Sequence, residues 1–145
     1  MKTKSIILNF LLLSFLLTGC DLLDQNQNVG LSLDLEKYTF FEADTLKGAF
    51  TVTNLSSNII NYNFSTSCQY GLKIQSGSVI SRQYPEVCAQ VLTSLTLKSG
   101  ESKLYEFQLL LVDNDYNNLI KGNYEVETFL LNNNSSIVSK SIKIN

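Results

Sequence analysis

The sequence predicts an all-β fold, an antiparallel sandwich of seven or eight short strands, on three observations. Apolar and polar residues alternate with a period of two in six separate stretches, as strands with one buried face require. Clusters of Asn, Asp, Ser and Gly divide those stretches at short intervals, which is the spacing of a sandwich or barrel. Beyond Val29 no window sustains a helical period over three turns.

Taken in order, Leu31, Leu33 and Leu35 alternate with Ser32, Asp34 and Glu36 in the first stretch. Leu46, Gly48, Phe50 and Val52 then share one face, with Lys47, Ala49 and Thr51 on the other. Ile60, Tyr62 and Phe64 alternate with asparagines, and Tyr105, Phe107, Leu109 and Leu111 form a strong apolar face. Leu104 and Leu110 make that last stretch read as buried on both sides. Tyr124, Val126, Thr128 and Leu130 follow, and Ile142 and Ile144 end the chain in a final strand. The separating turns are Asn54 to Asn58, Gln75 to Ser78, Lys98 to Glu101, Asp113 to Asn118 and Asn132 to Ser136. Leu119-Ile120-Lys121-Gly122-Asn123-Tyr124 resembles a tyrosine corner, in which the ring packs inward and the hydroxyl caps a nearby backbone group. That feature narrows the sandwich to an immunoglobulin-like one.

A chain of 145 residues favours a single domain. The first 29 residues read differently from the rest. Met1-Lys2-Thr3-Lys4 is a short basic segment, and Ile6 to Leu17 is apolar except for Asn9 and Ser14. Twelve residues are too few for a bilayer core of about 30 Å, which needs about 20, so the segment reads as a signal peptide. Leu17-Thr18-Gly19-Cys20 resembles the lipobox of bacterial lipoproteins. Small residues fit a narrow protease site before the cleaved bond, and the Cys20 thiol accepts the lipid. The expected organisation is therefore a signal peptide at 1–19, a lipidated Cys20 with a polar tether at 20–29, and the sandwich at 30–145. Several acyl chains anchor stably where one is marginal, so Cys20 is expected to hold the domain at a membrane of the bacterial envelope. Asp21 resembles an inner-membrane retention signal; inner and outer membrane both stay open.

Loss of Lys2 and Lys4 with the signal peptide leaves nine basic against thirteen acidic side chains, a net charge of −4. The basic residues are scattered, which excludes a nucleic-acid footprint. With Cys20 assigned to lipid, Cys68 and Cys88 remain in an exported chain, where disulfides form and persist. A bridge between them is expected to pin the segment Gln69 to Val87. A reactive thiol or half a metal site is the alternative, but there is no histidine in the chain and no third thiol. The missing histidine also excludes Ser-His-Asp, Cys-His and His-zinc chemistry. No phosphate-binding glycine loop or dinucleotide fingerprint is present, so neither catalytic residues nor a cofactor are expected. Asp113-Asn114-Asp115-Tyr116-Asn117-Asn118 spaces oxygens like a calcium loop. It lacks the glycine at position six and the glutamate at position twelve, and reads as a polar turn. Asn54-Leu55-Ser56 and Asn63-Phe64-Ser65 match the N-glycosylation triplet, without default meaning in a bacterial lipoprotein. Tyr70, Tyr84 and Pro85, taken as exposed within the disulfide-tied segment, are candidate binding residues, since tyrosine is enriched at interfaces.

Phe50-Thr51-Val52-Thr53-Asn54, Tyr62 to Cys68, Leu95 to Ser102 and Gly122-Asn123-Tyr124-Glu125-Val126 occur in an order that resembles the BsuPI family. That is the intracellular proteinase inhibitor domain of bacilli and of many exported bacterial proteins. The resemblance covers about Leu33 to Leu131 and implies an immunoglobulin-like sandwich. Ser99 stands where the family's turn usually carries proline, and no inhibitory residue transfers from the family. Two functional expectations follow. The first is a membrane-anchored, non-enzymatic interaction domain with a protein or envelope partner. The second, implied by the resemblance, is an inhibitor of a subtilisin-like serine protease outside the cytoplasm. Such an inhibitor would present an extended loop such as Gly77 to Pro85 or Asp113 to Asn118.

Overall fold

A computed structural model describes residues 28–132 and 136–145. The signal peptide, Cys20 and nearly all of the expected tether lie outside the described residues, as do residues 133–135 of the last predicted turn. The described residues form ten strands and no α-helix: β1 (Val29–Leu35), β2 (Thr39–Phe40), β3 (Thr45–Asn54), β4 (Ile60–Phe64), β5 (Tyr70–Ser76), β6 (Val79–Tyr84), β7 (Thr93–Leu97), β8 (Ser102–Leu110), β9 (Gly122–Leu130) and β10 (Ile137–Ile144). Ten strands replace the expected seven or eight. The additions include β2, which is only two residues long, and a hairpin, β5–β6, inside the segment expected to be a tied loop. β1 begins at Val29, one residue inside the expected tether.

One layer is a five-stranded sheet in the order β2-β10-β9-β5-β6, and β1-β3-β8 makes a second sheet. A two-stranded ribbon, β4-β7, completes the fold. All pairings are antiparallel except β10 with β2. The central strands β3 and β9 keep the alternation that their sequences carry. Leu46, Phe50 and Val52 of β3 and Tyr124, Val126 and Leu130 of β9 are buried, while their neighbours along each strand are more exposed. One core joins Leu46, Phe107 and Leu109 to Leu72, Ile74, Val126 and Ile144 across the two sheets. A second gathers Phe50 and Val52 with Phe64, Leu95, Leu97 and Leu130 around the β4-β7 ribbon. Both cores and all ten described strands lie within residues 28–145.

Leu104 and Leu110 correct the sequence reading: they are 53% and 58% exposed. They point away from the core on β8, which pairs on one side only, with β3. The predicted tyrosine corner is present, with the Tyr124 hydroxyl donating to the Ile120 carbonyl at 2.9 Å. Gly77, at φ 59°, makes the tight turn between β5 and β6 in a conformation that L side chains resist.

Asn54 ends β3 fully buried, and every polar group on it is used. Its side-chain nitrogen donates to the Asn58 and Leu97 carbonyls at 2.7 and 2.9 Å. Its side-chain oxygen accepts from the Ser56 N–H and hydroxyl at 2.9 and 2.7 Å. Its own N–H and C=O bond Glu101 and Gly100. The amide of this glycosylation triplet is therefore a structural clamp that holds two turns, Asn54–Asn58 and Lys98–Glu101, together and is closed to modification.

Candidate functional site

Cys68, just after β4, and Cys88, between β6 and β7, are joined by a disulfide with their Cα atoms 5.6 Å apart. The bridge has the expected pairing, but the chain it spans is mostly the β5–β6 hairpin. Around it the backbone is pinned twice more. Ser67 N–H donates to the Ala89 carbonyl at 3.0 Å, and Ala89 N–H donates to the Ser67 hydroxyl at 3.0 Å. Thr93 at the start of β7 donates its hydroxyl to the Thr66 carbonyl at 2.8 Å.

Tyr70, Tyr84 and Pro85 do converge, on a cleft of about 260 Å³ beside the bridge. They are half-buried, which corrects the expectation that they are exposed on a loop. The reason is that Tyr70 opens β5 and Tyr84 closes β6, so both rings are drawn against the sheet. The Tyr70 ring centre lies 4.9 Å from Tyr105, 6.0 Å from Tyr84 and 6.1 Å from Phe50. Burial, with the neighbouring Tyr84 and Tyr105 adding to it, pushes the Tyr70 phenol up to about 12. Burial likewise pushes Tyr105 up to about 12, and its hydroxyl donates to Gln69 Oε1 at 2.8 Å. These phenols stay neutral at physiological pH and serve as packing and hydrogen-bonding groups. The cleft has an aromatic floor but contains no acid–base pair.

The second part of the site was not legible in the sequence. Arg82 of β6 is 7% exposed, and its guanidinium forms an ion pair with Glu86. The same group donates to the Asp113 carbonyl at 3.1 Å and lies 4.9 Å from the centre of the Tyr116 ring. Tyr116 in turn donates its hydroxyl to the other Glu86 oxygen at 2.6 Å. A buried cation is tolerable only when paired and hydrogen-bonded, and this cluster supplies both. The spacing of Arg82 and Glu86 resembles any other charged pair in sequence; Tyr116 and Asp113 reach them only through the fold.

The loop at Asp113–Asn118 accounts for its own oxygens. Asp113 Oδ1 accepts the Asp115 and Asn117 N–H groups, each at 2.9 Å. Those bonds, the Asn117 one foremost, hold the Asp113 carboxyl below the usual carboxylate range. Among the described residues no three acidic or cysteine side chains are grouped to hold a metal. The loop also covers the outer edge of β6: Asn114 N–H donates to the Ser81 carbonyl at 2.9 Å, and Gln83 N–H donates to Asn114 Oδ1 at 3.1 Å. Gly77 to Pro85 and Asp113 to Asn118, both expected as presented loops, are therefore joined at Ser81, Gln83 and Asn114, while Val79 and Tyr116 stay 66% and 65% exposed. The stretch after them, Glu86 to Leu92, projects further still, with Val87 and Leu92 at 85% and 83% exposure.

Comparison with solved structures agrees on the architecture. The sporulation control protein Spo0M from Bacillus subtilis matches with a TM-score of 0.54 at 14% identity, over 81% of this chain and 49% of that one. The alkylpurine DNA glycosylase AlkC from Pseudomonas fluorescens matches with a TM-score of 0.53 at 10% identity, over 81% of this chain and 30% of that one. The chain thus spans about half of the first and under a third of the second, and the likeness is one of fold. No curated protein sequence matches. The family comparison is more specific and favours the second of the two functional expectations over the first. The family model BsuPI, described as intracellular proteinase inhibitor, matches residues 33–135, from within β1 to beyond β9, and the chain belongs to that family.

Proposed function

We propose that this protein inhibits a serine proteinase outside the cytoplasm while tethered to a membrane by lipid on Cys20. The observation that carries the inhibitor reading is the family match over residues 33–135. An inhibitor is one kind of non-enzymatic interaction domain, so this reading narrows the broader expectation. The rigid, disulfide-braced corner supports it, because a binding surface held in shape loses little entropy when a partner docks. The family description speaks of an intracellular inhibitor. The basic start, apolar run and lipobox ending at Cys20 support a different location for this chain, facing envelope or secreted proteinases.

The test uses the lipid-free domain, residues 28–145, against subtilisin, elastase, chymotrypsin and trypsin with chromogenic peptide substrates. The expected outcome is dose-dependent loss of activity of at least one enzyme at sub-micromolar domain. Full activity of all four at ten micromolar domain would overturn the inhibitor reading. The location is tested separately, by fractionating bacteria that express the full chain and its Cys20→Ser variant. Lipid labelling and membrane association are expected for the first and absent for the second. Equal membrane association of both would overturn the anchor.

A further inference from the structure

We propose that Glu86–Leu92 is the segment that enters the proteinase active site, with Val87 filling the primary specificity pocket, and that the target's pocket is small and apolar. This rests on the inhibitor reading above and adds to it the contact residue and the class of enzyme.

Three independent observations select Val87. The first is exposure. Among the described residues no large apolar side chain is more exposed than Val87, at 85%. An isolated exposed aliphatic side chain needs no explanation, but this one sits in a segment that also exposes Val91 at 56% and Leu92 at 83%.

The second is fixation from both sides. Glu86, the preceding residue, is held by the Arg82 ion pair and by the Tyr116 hydroxyl at 2.6 Å. Cys88, the following residue, is bonded to Cys68, and Ala89 exchanges two hydrogen bonds with Ser67. Val87 is thus a projecting apolar side chain on a backbone whose neighbours cannot move freely. Binding such a group costs little ordering entropy.

The third is the state of the backbone. The segment lies between β6 and β7 and belongs to neither. No backbone hydrogen bond engages the N–H or C=O of Glu86 or Val87 among the described residues. The Val87 carbonyl meets Cys68 Sγ at 3.8 Å, a sulfur that carries no proton once bridged, so these groups keep their capacity to pair with a proteinase's strand, the main-chain mode by which extended peptides are bound. Gly77 to Pro85 and Asp113 to Asn118 do not offer this, because β6 pairs with β5 and the 113–118 loop caps its other edge.

The residue chemistry then names the target. Glu86 to Leu92 contains no lysine or arginine, so it does not fit the acidic pocket of a trypsin-like enzyme. Valine is short and branched at Cβ, which suits the small pocket of an elastase-like enzyme.

Residues 28–145 with wild-type sequence, Val87→Asp and Val87→Lys are titrated against elastase and trypsin, with thermal unfolding measured alongside. The expected result is elastase inhibition by the wild type, weakened at least 100-fold by V87D with an unchanged melting temperature. V87K is expected to lose elastase and gain trypsin inhibition. Inhibition by V87D at the wild-type level would overturn the proposal while leaving the inhibitor reading standing. Wild-type inhibition of trypsin but not elastase would overturn the pocket assignment. Failure of the wild type against every enzyme of the wider panel would remove the inhibitor reading itself, and this inference with it.

Discussion

Replacing Cys68 and Cys88 together by alanine removes a covalent loop closure across 20 residues. The chain-entropy relation gives about 11 cal/mol/K for a loop of that size, or about 3 kcal/mol at room temperature. The native corner should survive the change, since the Ser67–Ala89 pair, the Thr93–Thr66 bond and the β5–β6 ladder do not depend on the bridge. The loss therefore falls on the unfolded state. For a domain running from Asn28 to Asn145, the unfolding entropy is about 0.25 kcal/mol/K at the midpoint, so the melting temperature drops by about 12 °C. Circular dichroism melts of the wild type and the double variant at neutral pH measure this directly, and the folded spectra should superimpose. A drop below about 4 °C would mean instead that the unfolded chain already holds the two ends together. A changed folded spectrum would refute the premise that the corner persists without the bridge.

Asn54→Ala removes four side-chain hydrogen bonds and strands the buried Leu97 carbonyl. At about 1 kcal/mol net for each bond, with some compensation by water at the exposed end, the loss is about 3 kcal/mol in urea unfolding. Tyr124→Phe deletes the single 2.9 Å bond of the tyrosine corner and keeps its ring, so about 1 kcal/mol is expected by the same measurement. A loss above 2 kcal/mol would mean that the hydroxyl does more than cap Ile120. Tyr70 and Tyr105, held at about 12, are expected to lag in a spectrophotometric titration at alkaline pH. Their folded values lie above the ordinary value of 10.0, so their contribution is complete below that pH. It is lost as pH rises toward 12, and stability should fall across that window. Tyr70→Phe should shrink the lagging fraction.

Strands that lie between two neighbours and have one buried face were legible because alternation is imposed by local geometry. β3 and β9 bury the residues their pattern marks, down to the hydroxyl of Tyr124. Failures came where burial depends on what lies beside a strand. Leu104 and Leu110 read as core from the density of apolar residues, yet β8 has a partner on one side only and its outer face is open. β5 was missed because Gly71 and Leu72 are buried in succession, which breaks the period-two signal. Tyr70 and Tyr84 lie beside the disulfide as their spacing suggests but are half-buried, since nothing local shows that they bracket a hairpin. The cluster of Arg82, Glu86 and Tyr116 has no sequence signal, and Val87 gains its meaning from residues such as Tyr116 and Cys68 that fix its two neighbours across the fold.

As proposed, this domain blocks a proteinase by occupying its active site. Isothermal titration of the domain into elastase, and into elastase whose active site has been covalently blocked, tests this most directly. One-to-one binding to the open enzyme and none to the blocked one is expected. Equal binding to both, or no heat with either, would contradict the proposal.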